Sequence, residues 1–260
     1  MKGKIIKILT RLSYYPRLLL DSFLFLFFKN DYSLLEKFKD QDCLIVGNGP
    51  SLNETDLENL KMPSIGMNKI NMLFPRSKWR PDVIVCVNGL VIQQNAEYFN
   101  STEIPLVLPI KAWYLGIKKR PNVIFVKISD SLNFQDNLKK SLGIGSTVTY
   151  TCFQVAAFAK VKSINIVGVD HNFNLNSDKI NKEHNIELLK GEDVNHFDPN
   201  YFKDKLWGLP DLAGSESAYM LAKEYFLNKN TQIIDYTING KLQTFTKGAI
   251  SSLYKKINKL

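Results

Sequence analysis

Cysteine and histidine are scarce, with three of each in 260 residues. Cys43, Cys86 and Cys152 stand far apart in apolar segments, and no Cys-x-x-Cys pair occurs. That excludes the usual zinc and dithiol patterns and leaves three buried small hydrophobes in a reducing cytoplasm. His171, His184 and His196 have no zinc spacing either. No Gly-Lys-Ser/Thr follows a glycine-rich turn and the glycines do not fit Gly-x-Gly-x-x-Gly, so neither of the two best-known phosphate loops is present. Asp-x-Asp occurs only as Asp40-Gln41-Asp42, ahead of the first strand and at the wrong end of a sheet for a nucleotide-bound metal. No dedicated metal site is expected. There is no internal repeat and no low-complexity block. No uninterrupted apolar run reaches the roughly 20 residues of a spanning helix, and no small-residue cleavage site follows the apolar segment near the front.

What is present describes a folded globular chain, with 45% hydrophobic and 12% aromatic residues. Net charge is +9, compatible with nucleic acid, an anionic membrane surface or anionic substrates. Much of that charge lies at the ends: Lys2, Lys4, Lys7, Arg11 and Arg17 in front, Lys247, Lys255, Lys256 and Lys259 behind. From Ile5 to Phe28, basic residues at helical spacing face away from Ile5, Ile8, Leu9 and Leu12, and a dense apolar run from Leu18 to Phe28 follows. Residues 1–40 therefore read as a basic amphipathic segment and connector, lying on an anionic leaflet or packed on protein. Residues 241–260 read as a weaker basic amphipathic tail.

Between them, residues 41–240 alternate strands and helices. Strands are expected at Cys43–Val46, Ser64–Met67, Val83–Val87, Leu106–Leu108, Val123–Lys127, Ile164–Val167 and Gln232–Asp235. Helices are expected at Glu54–Lys61, Val91–Phe99, Val148–Lys160 and Ser215–Asn228. This is an α/β class chain, a single Rossmann-like, mostly parallel sheet with helices on both faces. The polar stretch of about 172–212, broken by Pro199 and Pro210, reads as a lid.

In such sheets ligands bind at the carboxyl ends of the strands. Cys43 to Val46 runs into Gly47-Asn48-Gly49-Pro50-Ser51-Leu52, a loop that suits a phosphate or nucleotide, with a helix from Asn53 or Glu54 aiming its N–H groups at an anion. A plain strand-to-helix turn is the alternative. The next two strands end in Asn68 and Asn88, and a later one in Asp170-His171-Asn172. Carboxamides both donate and accept, which suits a base edge, a ribose or a sugar hydroxyl. Gly145-Ser146-Thr147 opens an apolar helix and offers hydroxyls and N–H groups, or simply an N-cap. His171 could contact ligand or pack, and His184 reads as solvated. His196, within the lid, is the candidate general base, since imidazole titrates near neutral pH.

Together Ile45-Val46-Gly47-Asn48-Gly49-Pro50-Ser51-Leu52, Asn68, Asn88, Gly145-Ser146-Thr147 and Ile166-Val167-Gly168-Val169-Asp170 resemble the bacterial sialyltransferases of glycosyltransferase family 42, in motif order from Cys43 to Tyr236. The resemblance implies a Rossmann-like, GT-A-like variant with a lid, a CMP-sugar donor and no metal or other cofactor. It implies that Asn48, Gly49 and Ser51 hold the nucleotide. Asn68, Asn88, Ser146 and Thr147 would contact CMP and donor sugar, and His196 would deprotonate the acceptor. One position departs. That family has a tyrosine for the leaving phosphate shortly after Gly-x-Asp, where this chain has Asp170-His171-Asn172-Phe173. Either His171, Lys179, Lys182 or Tyr201 substitutes, or the donor differs.

His196-Phe197-Asp198-Pro199-Asn200-Tyr201-Phe202, Trp207-Gly208-Leu209-Pro210, Ser217-Ala218-Tyr219 and Asn239-Gly240-Lys241-Leu242 also look like the DUF115 or MptE-like proteins, often associated with surface-glycan synthesis. That group takes its name from an archaeal 6-hydroxymethylpterin diphosphokinase using ATP and magnesium. Such enzymes carry acidic residues where this chain has Asn68 and Asn88. The expected activity is transfer of a sialic-acid-like or other acidic sugar from a CMP donor to a glycan or lipid-linked acceptor. The expected place is the cytoplasmic face of a bacterial inner membrane, with no nucleic-acid partner and a homo-oligomer possible. The alternatives are the pterin diphosphokinase and a non-catalytic nucleotide- or glycan-binding subunit.

Overall fold

The computed structural model describes residues 20–174 and 186–257. Nine parallel strands form one sheet: β1 (Asp42–Val46), β2 (Ser64–Met67), β3 (Val83–Val85), β4 (Leu106–Pro109), β5 (Val123–Ser129), β6 (Ser141–Gly143), β7 (Ser163–Val167), β10 (Gln232–Asp235) and β11 (Thr246–Lys247). Two more, β8 (Ile186–Leu189) and β9 (Lys205–Gly208), pair antiparallel in the lid. The order β11-β10-β7-β1-β2-β3-β4-β5-β6 makes the chain move outward in one direction from β1 to β6, then return to the other side of β1 with β7. The reversal between β1 and β7 opens a crevice at their carboxyl ends.

The strands are continuous apolar runs because both faces are covered. Cys43, Ile45, Val83, Val85, Ile124 and Val126 join one core, and Leu44, Val46, Ile84, Val123 and Phe125 join the other. Each such side chain is worth about 1.5–3 kcal/mol of burial. The first face is covered by α5 (Val148–Phe158) and α6 (Leu212–Asn228). Over the second lie the helix at residues 20–27 (α1), α2 (Gly89–Gln94), α3 (Ala96–Ser101), α4 (Lys111–Tyr114), α7 (Ile250–Ile257) and the aromatic residues of the lid. Among the described residues, no helix is long and apolar enough to cross a membrane.

All seven expected strands are present, while the helices need two corrections. Glu54–Lys61 is not an α-helix but two 3-10 turns, Pro50–Glu54 and Leu57–Asn59. Its Asx chemistry competes with helix: Asp56 accepts from Asn59 N, and Thr55 Oγ1 donates to Ser51 O. Val91–Phe99 breaks at Asn95, whose carboxamide turns inward to a reciprocal pair with Asn71 at 2.9 and 3.3 Å. Residues 242–257 pack onto the fold. Leu242, Phe245 and Leu253 are buried, Tyr254 Oη accepts from Asp56 N at 2.8 Å, and Lys256 pairs with Asp42. Of the basic N-terminal segment, residues 1–19 lie outside the described residues.

Candidate active site

The loops after β1 and β7 touch at the crevice. Gly47 N donates to Val167 O (2.8 Å), and Gly49 N to Gly168 O (2.9 Å). A Cβ on Gly47 would sit 2.1 Å from Gly168 O, and one on Gly49 would sit 1.8 Å from Asp170 Oδ2. Asp170 then grips the loop, accepting from Ser51 N at 3.0 Å and Ser51 Oγ at 2.8 Å. A carboxylate of the chain itself thus occupies donors that the sequence offers to a ligand anion. Burial raises the Asp170 pKa and the Ser51 bonds oppose the rise. Pro50 and Ser51 lie behind the cleft wall, and the expected helix start at Asn53 or Glu54 is a 3-10 turn already begun at Pro50.

Beyond these loops opens a cleft of about 460 Å³, walled by the ends of β1, β2, β3 and β7, the start of α5, and the lid. The asparagines do enter it. Asn48 is buried; its Nδ2 donates to Met67 O at 3.0 Å, which fixes the amide and leaves Oδ1 without a partner among the described residues. Asn68 takes a left-handed backbone (φ 52°), a conformation Asn tolerates, and its buried Oδ1 is also unpartnered. Both oxygens are sealed from solvent, so they are buried acceptors without donors behind the cleft surface. Asn88 caps α2 through Oδ1, which accepts from Leu90 N and Val91 N. Lys111, after β4, adds a cationic side chain to the wall.

Ser146 and Thr147 form the far side. Thr147 caps α5, its Oγ1 3.3 Å from Tyr219 Oη, and Ser146 Oγ donates to Asp211 Oδ2 at 2.9 Å. Asp211 caps α6, so one carboxylate ties both helix starts together. Gly145 stands just behind, where a Cβ would meet the Tyr150 ring at 2.5 Å. His171 lines the cleft and pairs through Nε2 with Glu216 Oε1 at 3.1 Å.

The lid supplies the cleft's third wall. Phe197 N donates to Asn48 O at 2.9 Å, and Phe197 O accepts from Asn53 and Arg76, which pins the lid to the β1 loop. His196 lies in the cleft wall beside this anchor. Its Nδ1 meets Asp193 Oδ2 at 2.8 Å, and the Asp193 side chain is only 1% exposed. Asp193 Oδ1 accepts from Asn195 N at 2.9 Å, so both carboxylate oxygens are engaged. With Nδ1–H held by Asp193, Nε2 has no hydrogen-bond partner among the described residues and is the nitrogen available to substrate. Tyr201 stacks beneath the imidazole, ring centroids 4.1 Å apart and planes at 3°.

The family model described as 6-hydroxymethylpterin diphosphokinase MptE-like matches residues 25–176, more than half of the chain. The chain belongs to the MptE-like family. The matched part carries β1 to β7 and every strand-end residue above, whereas Asp193 and His196 lie beyond it. Among solved structures, the MAf glycosyltransferase from Magnetospirillum magneticum AMB-1 is similar in fold, with a TM-score of 0.53 at 11% identity. The similarity covers 89% of this chain, which spans 42% of that protein. No curated protein matches in sequence.

Within this MptE-like chain the residues proposed for a leaving phosphate fare differently. Tyr201 is corrected: it is fully buried, its hydroxyl accepts from Lys69 N at 3.2 Å, and it supports His196 from behind instead of facing the cleft. Lys179 and Lys182, like His184, lie outside the described residues. Asp40-Gln41-Asp42 stands at the amino end of β1, away from the cleft. Asp193 and Lys111 are additions that the sequence reading missed.

Lys69 is a further addition, 2% exposed, with Nζ donating to Gln94 Oε1 and Tyr201 O, both at 2.6 Å. Burial first, then Lys205, lowers its pKa to about 8. The unfolded chain holds that proton up to about 10.4. Between these values the unfolded state binds more protons, so this residue's contribution makes stability rise as pH increases from about 8 to about 10.4. Urea unfolding of wild type and Lys69→Met at pH 8 and 10 should show the wild type gaining on the variant at the higher pH. Parallel curves would place the ammonium in solvent.

Proposed function

We propose that this chain is a glycosyltransferase that moves a sialic-acid-like or other acidic sugar from a CMP donor to a hydroxyl of a glycan or lipid-linked acceptor. The observation that carries this reading is the Asp193–His196 pair in the cleft wall, with Nε2 available. Nε2 takes the acceptor proton, the acceptor oxygen bonds to the anomeric carbon, and the bond from that carbon to the phosphate oxygen breaks, releasing CMP with the electron pair. A single displacement inverts the anomeric centre. Asp193 holds the proton on Nδ1 and stabilises the imidazolium that forms.

The strand-end carboxamides support a nucleoside and sugar ligand, since Asn48, Asn68 and Asn88 line the cleft and carboxamides both donate and accept. Lys111 and the Ser146–Thr147 turn supply cationic and polar groups for the phosphate side, and the lid lysines Lys179 and Lys182 remain part of this proposal. The order of motifs shared with family 42 sialyltransferases supports the CMP donor, and the fold of the MAf glycosyltransferase agrees with a transferase. Catalysis without a metal is part of the reading. Magnesium favours carboxylate and phosphate oxygens, and Asn68 and Asn88 stand where such a site would want acids. Asp170, the carboxylate that lines the cleft among the described residues, already accepts twice from Ser51.

The family's description favours a second reading, ATP-dependent diphosphoryl transfer to a pterin. Thermal unfolding with CMP, CDP, UDP, GDP and ATP, each with and without Mg²⁺, separates the two. A ligand at a hundred times its Kd stabilises by about 2.7 kcal/mol, several degrees for a chain of this size. Stabilisation by CMP or CDP and not by ATP with Mg²⁺ is expected. The reverse pattern would replace the glycosyltransferase by the diphosphokinase.

A further inference from the structure

The amphipathic front of the chain continues into a surface whose inner and outer faces differ sharply. On α1, Leu24 and Phe25 turn inward to the core beneath α4, as does Phe28 just after the helix. Phe23, Leu26 and Phe27 turn outward, at 58%, 78% and 59% exposure. Trp113 of α4 lies alongside, in edge contact with Phe28 and itself 44% exposed. Tyr114 Oη donates to Asp21 Oδ1 at 3.1 Å, fastening α4 to α1. Four large apolar side chains on two joined helices form a patch of a kind that soluble monomers rarely leave uncovered.

Charge identifies what covers it. Lys118 and Lys119 are exposed immediately after α4, and Lys119 Nζ donates to Phe27 O at 3.0 Å, which sets a cation at the rim of the patch. Upstream of it, residues 1–20 contain Lys2, Lys4, Lys7, Arg11 and Arg17 and no acidic residue. Exposed phenylalanines and leucine, a tryptophan beside a tyrosine, a lysine at the rim and a basic sequence upstream match the depth profile of a bilayer interface: apolar groups among the acyl chains, indole near the carbonyls, cations at the phosphates. A protein partner would need acidic residues around an apolar hollow, whereas an anionic bilayer supplies both features everywhere.

We infer that α1 and Trp113 together form a docking face that inserts into the interface of an anionic bilayer. The face adjoins the cleft, since only Ala112 separates Trp113 from Lys111 in the cleft wall. Docked this way, the enzyme would meet an acceptor presented by the membrane. That last step rests on the proposed transferase function, but the docking itself does not.

Tryptophan fluorescence tests it without any turnover. Trp79 and Trp207 are buried, so Trp113 is the indole placed to enter lipid. Vesicles of phosphatidylcholine with about one third phosphatidylglycerol and bromine in the acyl chains should quench it, and pure phosphatidylcholine vesicles should bind at least tenfold more weakly. Phe23→Ser with Phe27→Ser, which alters only exposed side chains, should reduce binding at least tenfold with thermal unfolding unchanged. Three results would overturn the inference: binding without quenching, equal binding by the double variant, or a dimer in light scattering that the double variant dissolves. Nucleotide-induced stabilisation of the same proteins reports separately on the cleft, so the two proposals can fail independently.

Discussion

The His196→Asn enzyme should turn over roughly 10²–10⁴-fold more slowly than wild type, the usual weight of a positioned general base. Asparagine can keep a donor near Asp193 Oδ2, so the buried carboxylate stays satisfied and the melting temperature should change little. What is lost is the lone pair on Nε2. Asp193→Asn should also lose activity, by at least tenfold, for a different reason. Both Asp193 oxygens accept, one from Asn195 N and one from His196 Nδ1. An asparagine offers a single acceptor. Either the Asn195 bond breaks or the imidazole proton moves to Nε2, where it blocks the base. Single-turnover transfer to an acceptor, with CMP release measured in parallel, checks both variants. A His196→Asn enzyme with wild-type turnover would remove the catalytic assignment and leave a nucleotide- or glycan-binding subunit.

How this site reads from sequence depends on the range of its interactions. The strand-end rule finds Asn48, Asn68, Asn88 and Asp170 because a parallel sheet delivers its carboxyl ends to one edge whatever the side chains between. The same rule, applied to Pro109-Ile110-Lys111, reaches Lys111, which the sequence reading passed over. Asp193 carried a weaker signal, an acid three residues before a histidine in a loop, where that spacing has no periodic meaning. The grip of Asp170 on Ser51 spans 119 residues and has no local trace. Tyr201 offers a phosphate a hydroxyl in sequence, but its flat contact with His196 and its full burial decide its place. The fold follows a similar division. Strands buried on both faces announce themselves as Val/Ile/Leu runs, whereas β6 and β11 are two- or three-residue edges. β8 and β9 are four residues each and half-exposed, sit within a polar stretch of sequence, and pair only with each other.

The largest stability effect is expected at Gly47. An added Cβ there would lie 2.1 Å from Gly168 O and 2.5 Å from the carbonyl carbon, and both belong to backbone. No rotamer change relieves such a contact. Only separation of the β1 and β7 loops does, against the bond from Gly47 N to Val167 O. Gly47→Ala should therefore cost about 3 kcal/mol or more, the upper end for overpacking. Gly116→Ala is the control. That residue sits at φ 88° with no atom within 4 Å of an added Cβ, so it should cost only the backbone strain of about 1–2 kcal/mol. Urea unfolding orders the two. If Gly47→Ala unfolded at the wild-type midpoint, the crevice between β1 and β7 would have slack that these distances deny. The consequence for binding follows from the same contact. Widening the loops moves Asn48, held through Met67 on one side and Phe197 on the other, away from the lid that carries His196. Gly47→Ala should accordingly lose nucleotide-induced stabilisation at temperatures where it is still folded, whereas Gly116→Ala keeps it.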